Sequence, residues 1–186
     1  MFNVNKIKYI DPHWSVSEAA CRILYKHAKE SIGHIVEIGS YYGRSTVVLA
    51  MGSEDGTKQK VFAIDPWSRK KNLYETFTNN VKQSGYSKNI YPYRAESSNA
   101  FYWKKPRTVF LQGIGLLFID GSHGYDAVKE DLLWVQLVKS GGVVAFHDYG
   151  DGVIQGVKHA VDEYFAGTPQ LTQELLKDSL LVCRKL

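Results

Sequence analysis

The fold of this chain is decided by one stretch, His34-Ile35-Val36-Glu37-Ile38-Gly39-Ser40-Tyr41-Tyr42-Gly43-Arg44-Ser45-Thr46-Val47-Val48-Leu49-Ala50. Its apolar start, Ile35 to Ile38, is too short for a helix and rich in β-branched residues, which predicts a buried strand. Gly39 and Gly43 predict a turn whose backbone takes positive φ and can approach a ligand closely. The helix predicted after Gly43 points its first N–H groups at that turn. This strand–turn–helix unit favours a nucleotide-like ligand.

The spacing of the glycines narrows the choice of nucleotide. A pyrophosphate fingerprint needs three glycines as G-x-G-x-x-G, and Tyr41 stands where the middle one would be. Glu37 can instead take a positively charged or hydroxylated group. The pattern Glu37-x-Gly39-x-Tyr41-x-Gly43 resembles motif I of the class I S-adenosylmethionine-dependent methyltransferases, an acid followed by G-x-G-x-G. The resemblance implies that the cofactor is held by this unit, namely by Glu37, Gly39, Ser40, Tyr41, Gly43, Ser45 and Thr46.

Length and composition indicate one globular domain. The chain has 186 residues, of which 44% are hydrophobic and 23% charged. We expect a single methyltransferase domain, 1–186, with an N-terminal arm and helix at 1–32 and a cofactor-binding core at 33–186. The formal charge of +4 is far from the basic stripe of a nucleic-acid binder. No apolar run is long enough for a membrane span and no signal peptide is visible, so we expect a soluble, cytoplasmic protein with reduced core thiols at Cys21 and Cys183.

An aromatic arm, Met1 to Trp14, precedes the first predicted helix. Ser15 followed by Glu18 is a capping box that predicts where this helix begins. Two interpretations of the arm stay open: its aromatic residues pack into the core, or they cover the ligand site of the same or a neighbouring subunit. An arm that covers a neighbouring subunit's site would imply a homodimer.

The second predicted strand, Lys60 to Asp65, ends in an acid. A carboxylate at this point can accept both hydroxyl protons of a ribose diol, so Asp65 is the first candidate for that contact. Pro66 and Trp67 are further candidates for cofactor contact, and Trp67 could pack against the adenosine or the acceptor. A capping role for Asp65 is the alternative. The basic run Arg69-Lys70-Lys71 is either a solvated loop or a contact for an acidic acceptor.

The third predicted strand, Asn89 to Arg94, contains Pro92 and is therefore expected at the sheet edge. Ser97 and Ser98 can cap a short helix over Asn99 to Trp103. In the resembled family, the turn after this strand lines the adenine. The resemblance therefore implies that Ala95, Glu96 and Ser97 contact the cofactor.

Two further buried strands end in polar side chains. Gly115 to Asp120 precedes Gly121-Ser122-His123 and a helix predicted from Tyr125 to Val138, while Val143 to Phe146 follows a two-glycine turn and leads into His147-Asp148. Strands that alternate with helices build a parallel sheet whose carboxyl ends form one crevice. We therefore predict an α/β fold, a Rossmann-like three-layer sandwich with a mostly parallel seven-stranded sheet and a C-terminal antiparallel hairpin over Leu171 to Leu186. Six polar side chains are expected to converge on one edge of it: Glu37, Asp65, Asp120, His123, His147 and Asp148.

These last two stretches resemble the small-molecule and sugar O-methyltransferases that include the macrolide-sugar enzymes. The resemblance runs from Ile35 to Phe165 and implies a divalent cation, Mg²⁺, held by Asp120 and Asp148. It also implies that Asp120 contacts the cofactor and takes part in catalysis, with His123 as the base for the acceptor hydroxyl. The sequence departs from the catechol-type pattern at Tyr149, where an asparagine ligand is expected, and His147 replaces an acid of some sugar enzymes.

The predicted reaction is methyl transfer from S-adenosylmethionine to a hydroxyl oxygen of a small molecule or sugar. It requires alignment of the reactants and a proton acceptor, and a neutral histidine or a metal ion can help to remove the hydroxyl proton. A non-catalytic S-adenosylmethionine-binding or assembly module is the alternative. An NAD-dependent dehydrogenase is disfavoured because Tyr41 interrupts the phosphate glycines and no Tyr-x-x-x-Lys pair is suitably placed. A nucleic-acid amino-methyltransferase would need Pro-Pro-aromatic after the fourth strand, where Asp120 is followed by Gly121-Ser122.

Overall fold

A computed structural model describes residues 1–10, 16–102, 110, 113–150, 152, 154–167 and 170–186. Its centre is a seven-stranded sheet in the order β3-β2-β1-β4-β5-β7-β6. Strands β1 to β5 are parallel, while β7 runs antiparallel to both β5 and β6. The bounds are β1 His34–Ile38, β2 Val61–Asp65, β3 Ile90–Arg94, β4 Ile114–Ile119, β5 Val138–Phe146, β6 Leu171–Lys177 and β7 Leu180–Lys185. The predicted sheet, its edge strand β3 and its terminal hairpin are confirmed.

Helices cover both faces of this sheet. They are α1 Glu18–Lys29, α2 Arg44–Glu54, α3 Leu73–Ser84, α4 Ser97–Tyr102, α5 Tyr125–Asp131 and α6 Gln155–Gly167, with 3-10 turns at Val4–Lys6, Ser87–Asn89 and Leu132–Leu137. Successive strand side chains point to opposite faces. Ile35 packs with residues of α1, α2 and α3, whereas its neighbour Val36 packs with residues of α4, α5 and α6. The two cores separate three layers, as predicted.

Several predicted boundaries differ from the observed ones. Helix α1 begins at Glu18 and is capped by Ser17, whose hydroxyl accepts the amide of Ala20 at 3.2 Å; Ser15 lies outside the described residues. Helix α4 begins at Ser97, two residues before its predicted start. Its predicted last residue, Trp103, also lies outside the described residues. The α-helix predicted to reach Val138 ends at Asp131 and continues as a 3-10 turn, because Val138 already pairs with Ile114 in the sheet.

The N-terminal arm packs on its own chain within the described residues 1–10. Ile7 and Ile10 are completely buried in the core beneath α1 and α2. The guanidinium of Arg44, at the start of α2, donates to the carbonyls of Ile7 at 3.0 Å and Val16 at 3.2 Å. This anchoring favours core packing over coverage of a neighbouring subunit; Trp14 is not among the described residues.

The structure shows the state of the two cysteines and the lengths of the helices. Cys21 and Cys183 are both free and fully buried, which confirms the prediction of core thiols. Burial raises the pKa of Cys21 to about 11 and that of Cys183 to about 12. Among the described residues, no helix combines the length and hydrophobicity that crossing a membrane requires.

Candidate active site

The glycine turn between β1 and α2 has the predicted left-handed backbone. Gly39 has φ of 86° and Gly43 has φ of 90°, and Tyr41 between them has φ of 45°. The positions that Cβ atoms of Gly39 and Gly43 would take lie against other protein atoms. A Cβ on Gly39 would lie 2.0 Å from the carbonyl oxygen of Asp120, and one on Gly43 would lie 3.0 Å from the ring of Phe77. The turn therefore depends on both glycines to fit between β4 and α3.

Asp65, at the end of β2, holds this turn in place. Its Oδ2 accepts the backbone N–H groups of Ser40 and Tyr41, both at 3.0 Å, and its Oδ1 accepts the N–H of Trp67 at 2.5 Å. A carboxylate offers about four acceptor sites, so three are used by backbone. Asp65 therefore has a structural role in holding the turn, which resembles the capping role given above as the alternative. The ribose contact stays a prediction.

Trp67 lies in the core instead of facing the crevice. Only 2% of it is exposed, and its ring packs against Tyr74 and Phe77 with centroid distances of 5.0 and 4.6 Å. Its indole N–H donates to the carbonyl of Tyr41 at 2.8 Å. Trp67 therefore anchors the turn from below and does not face the crevice where adenosine or an acceptor was expected. Pro66, which is partly buried, lies between Asp65 and Trp67 in the chain.

Glu37 is completely buried under the turn because it points to the same face of the sheet as Ile35. Its Oε2 accepts the hydroxyl of Ser40 at 2.7 Å and the hydroxyl of Thr46, while its Oε1 has no hydrogen-bond partner. Burial raises the pKa of Glu37 to about 7, although the hydroxyls of Ser45, Thr46 and Ser40 favour the charged form. Three of the predicted cofactor residues therefore turn their hydroxyls toward this carboxyl group.

The turn after β3 contains the three residues expected near the adenine. Ala95 and Ser97 are partly buried, Glu96 is exposed, and the amide of Ala95 donates to the carbonyl of Asp65 at 3.2 Å. The hydroxyl of Ser97 donates to Asp131, which is 3% exposed. Sequence reasoning overlooked Asp131. Its signal was an acid at the inward position of a helical apolar pattern that includes Val128, Leu132 and Val135.

Four polar side chains meet where β4 and β5 end. His123 Nε2 lies 3.1 Å from Asp148 Oδ2 and 3.8 Å from Asp120 Oδ1. His147 Nδ1 lies 3.1 Å from Asp148 Oδ2 and 3.3 Å from Asp120 Oδ1. The two carboxylates thus lie between two imidazoles. Asp148 has φ of 56°, a strained conformation for a residue other than glycine, which is often found at functional sites.

The pKa shifts in this cluster follow from the opposite charges. Burial disfavours a charged imidazole at His147, but Asp120 and Asp148 outweigh it and raise its pKa to about 10. The carboxylate of Asp120 also raises the pKa of His123. Burial opposes the carboxylate form of Asp120, yet the two histidines keep its pKa below the ordinary value. The histidines and the carboxylates of this cluster therefore favour one another's charged forms.

The same groups fit a divalent cation. Asp120, His123 and Asp148 each offer one ligand atom, and these atoms lie within 4.8 Å of one another. The buried Nδ1 of His147 has no well-oriented hydrogen-bond partner, although it faces the same carboxylates. Tyr149, which occupies the position of an expected asparagine ligand, instead donates its hydroxyl to Asp162 at 2.6 Å.

This chain is similar to a methyltransferase family and to solved O-methyltransferases. A family model described as a methyltransferase domain matches residues 36–149. The O-methyltransferase from Bacillus cereus, solved in complex with SAH, has a TM-score of 0.72 at 16% identity and covers 98% of this chain and 87% of that one. The apo structure of CalS11, described as a TDP-rhamnose 3'-O-methyltransferase of calicheamicin biosynthesis, has a TM-score of 0.73 at 15% identity, with coverage of 98% and 83%. At these identities the likeness shows a shared fold.

A relative of unknown activity is also similar in sequence. An uncharacterized protein of Acanthamoeba polyphaga mimivirus is 28% identical over 129 residues, which cover 62% of this chain and 51% of that protein. The matched part of this chain therefore spans about half the length of this relative.

Proposed function

Since this chain belongs to the methyltransferase-domain family, we propose that it transfers a methyl group from S-adenosylmethionine to a hydroxyl oxygen of a small molecule or sugar. The observation that carries the proposal is the arrangement at one sheet edge. A turn held by Asp65 lies beside a cluster of two carboxylates and two histidines at the ends of β4 and β5. Solved proteins of the same fold include O-methyltransferases, one of them bound to SAH and one described as acting on TDP-rhamnose.

We place the cofactor at the glycine turn. Glu37 is fully buried beneath the turn and would support the cofactor through the hydroxyls of Ser40 and Thr46 that it binds. The first N–H groups of α2 and the turn after β3 supply donors and acceptors on either side. Bound here, S-adenosylmethionine supplies an electrophilic methyl group. Glu37, Ser40, Tyr41, Asp65 and Ala95 to Ser97 are the residues that would position it.

His123 is the proposed base. Its side chain is 34% exposed, twice the exposure of His147, so an acceptor hydroxyl can reach the ring. Its Nε2 faces Asp148 and Asp120, which leaves Nδ1 as the nitrogen that would accept a proton. As the acceptor oxygen bonds to the methyl carbon and S-adenosylhomocysteine leaves, the hydroxyl proton would pass to this nitrogen. The deprotonated ring is needed for that step, and the carboxylates of Asp148 and Asp120 stabilise the imidazolium that results. His147 orients both carboxylates from the buried side.

A divalent cation fits beside this base. Asp120 and Asp148 would hold it, and His123 beside them would stay free to act as the base. A bound Mg²⁺ would lower the pKa of a coordinated hydroxyl and keep several waters of its own. Protons on the two histidines compensate the same carboxylates, so cation binding and protonation compete.

The first experiment is calorimetric titration with S-adenosylhomocysteine, with and without Mg²⁺, and with NAD as the control ligand. We expect micromolar binding of S-adenosylhomocysteine and none of NAD. Transfer of labelled methyl groups to a panel of hydroxyl compounds then tests catalysis. The His123→Ala variant should lose about 10²-fold or more in turnover and keep its cofactor affinity, because a base acts only on the reacting proton.

The matched control is His159→Ala, since His159 is an exposed histidine on α6. It should behave as wild type. Equal turnover of both variants would exclude His123 as the base, and preference for NAD would exclude the methyltransferase proposal. Turnover that is lost in EDTA, restored by Mg²⁺ and abolished in Asp148→Asn would support the cation site.

A further inference from the structure

Three consecutive cations follow the anchor residue of β2. Arg69, Lys70 and Lys71 are all exposed, and they form what we call the basic loop. The chain enters this loop from Trp67, whose amide is bound by Asp65 and whose indole N–H is bound by the carbonyl of Tyr41. The start of the loop is therefore fixed against the glycine turn, at the carboxyl edge of the sheet where the candidate site lies.

Contacts show which way the basic loop runs. The ammonium of Lys70 lies 5.4 Å from the ring centre of Tyr41 and 3.4 Å from the hydroxyl oxygen of Tyr42, so it covers the glycine turn. Arg69 and Lys71 flank Lys70 in the chain. The basic loop thus lies beside the proposed cofactor turn, at the same carboxyl edge of the sheet as the proposed base.

The basic loop has no acidic partner in the part of the chain that the structure describes. Within the described ranges, no carboxylate forms an ion pair with Arg69, Lys70 or Lys71. Other exposed cations form ion pairs, namely Arg22 with Glu18, Lys129 with Glu163 and Lys158 with Asp162. Three consecutive cations without such a partner produce a local positive potential beside the glycine turn, and this potential attracts an anion.

We infer that the basic loop binds an anionic group of the acceptor, and that this acceptor is a hydroxyl compound that also carries phosphate. The guanidinium of Arg69 can bind two phosphate oxygens at once, and the two lysines add mobile point charges. The phosphate stays on the acceptor and only orients its hydroxyl toward His123. This inference rests on the proposed function, because it names the substrate class of the same site.

The test measures binding to protein saturated with S-adenosylhomocysteine. The probes are inorganic pyrophosphate, glucose 1-phosphate, UDP-glucose and uncharged methyl glucoside, titrated in EDTA at low and at high salt. We expect at least one phosphate probe to bind about tenfold or more tightly than methyl glucoside, with affinity that falls as salt rises. Tighter binding of glucose 1-phosphate than of UDP-glucose would indicate a simple sugar phosphate, and the reverse would indicate a nucleotide-activated sugar.

Two triple variants separate the basic loop from net charge. In Arg69→Gln/Lys70→Gln/Lys71→Gln, phosphate binding should weaken by about tenfold or more. In Lys26→Gln/Lys82→Gln/Lys88→Gln, which removes the same charge from exposed positions elsewhere, it should be unchanged. The inference is overturned if no phosphate probe binds, if methyl glucoside binds equally well, or if both triples lose binding equally.

Cofactor affinity provides the last control. The double variant Arg69→Gln/Lys71→Gln, which leaves Lys70 on the glycine turn, should bind S-adenosylhomocysteine as wild type does. If its cofactor affinity falls in parallel, the cations hold the cofactor's own carboxylate and the inference is wrong. If wild type itself fails to bind S-adenosylhomocysteine, the proposed function fails instead, so the two failures can be told apart.

Discussion

The hydroxyl of Ser97 donates a hydrogen bond to the carboxyl group of Asp131, which joins the turn after β3 to the end of α5. Trp134 strengthens this link, since its indole N–H donates to the carbonyl of Ser97 at 3.2 Å. On its other side, Asp131 leaves little space: a Cβ on Gly121 would lie 3.0 Å from Asp131 Oδ2. Asp131 therefore connects the turn expected near the adenine with the loop that carries His123.

Replacement of Asp131 by Asn should change the pH dependence of stability. Burial raises the pKa of Asp131 from 3.8 to about 7. Between these values the folded protein holds a proton that the unfolded chain releases, so stability falls as pH rises from about 4 through about 7. The Asn variant cannot ionise and should lose part of this fall in urea unfolding at several pH values. Glu37 contributes a second slope of the same sign, which should remain.

The companion variant Asp131→Ala should be less stable than wild type by about 1–3 kcal/mol, because Ser97 loses its acceptor and a space is left. A pH profile that is identical in wild type and Asp131→Asn would show that Asp131 is ionised normally in the folded protein.

Replacement of Asp65 by Ala should loosen the glycine turn. Three backbone N–H groups lose their acceptor, and each one left unsatisfied costs about 1–3 kcal/mol. We expect lower stability together with at least about tenfold weaker binding of S-adenosylhomocysteine by calorimetry. Asp65→Asn, which keeps one acceptor oxygen, should be intermediate. The control Glu75→Gln removes an exposed acid from the first turn of α3 and should change neither quantity.

Trp67→Phe distinguishes an anchor from a ligand contact. The variant keeps an aromatic ring beside Tyr74 and Phe77 but loses the indole hydrogen bond to Tyr41. Stability should fall by about 0.5–1.5 kcal/mol. The dissociation constant for S-adenosylhomocysteine should change by less than about threefold, or about 0.7 kcal/mol. Unchanged stability with much weaker binding would mean that Trp67 contacts the ligand, as the sequence suggested.

Arg44→Met tests the anchoring of the N-terminal arm. Backbone carbonyls of Ile7, Ile10 and Val16 would lose a charged donor, which should cost about 1–3 kcal/mol. Chymotrypsin should then cleave at Tyr9 sooner than in wild type. Lys29→Met, which changes an exposed residue on α1, serves as the control. Equal cleavage rates in all three proteins would show that Arg44 does not hold the arm.

The sequence by itself determined the fold class, the strand that carries the glycine turn and the polar residues at the sheet edge. The hydrophobic periodicity and the residue types of each segment are local signals. Parallel strands bring their carboxyl ends to one side of the sheet by topology alone. The left-handed conformation of Gly39 and Gly43 could be predicted for the same reason. The exact limits of α1, α4 and α5 could not, since caps and sheet pairing by distant residues such as Ile114 set them.

Only the tertiary structure decided what the side chains at that edge do. Asp65 ends β2 and Trp67 lies two residues beyond it, and these positions predict ligand contacts for both. In the folded chain both hold the turn, since backbone N–H groups and an aromatic core lie within their reach. Asp131 lies near the candidate site because the end of α5 packs against the turn after β3. Hydrogen bonds and burial depend on such non-local neighbours, and no local pattern of residues records them.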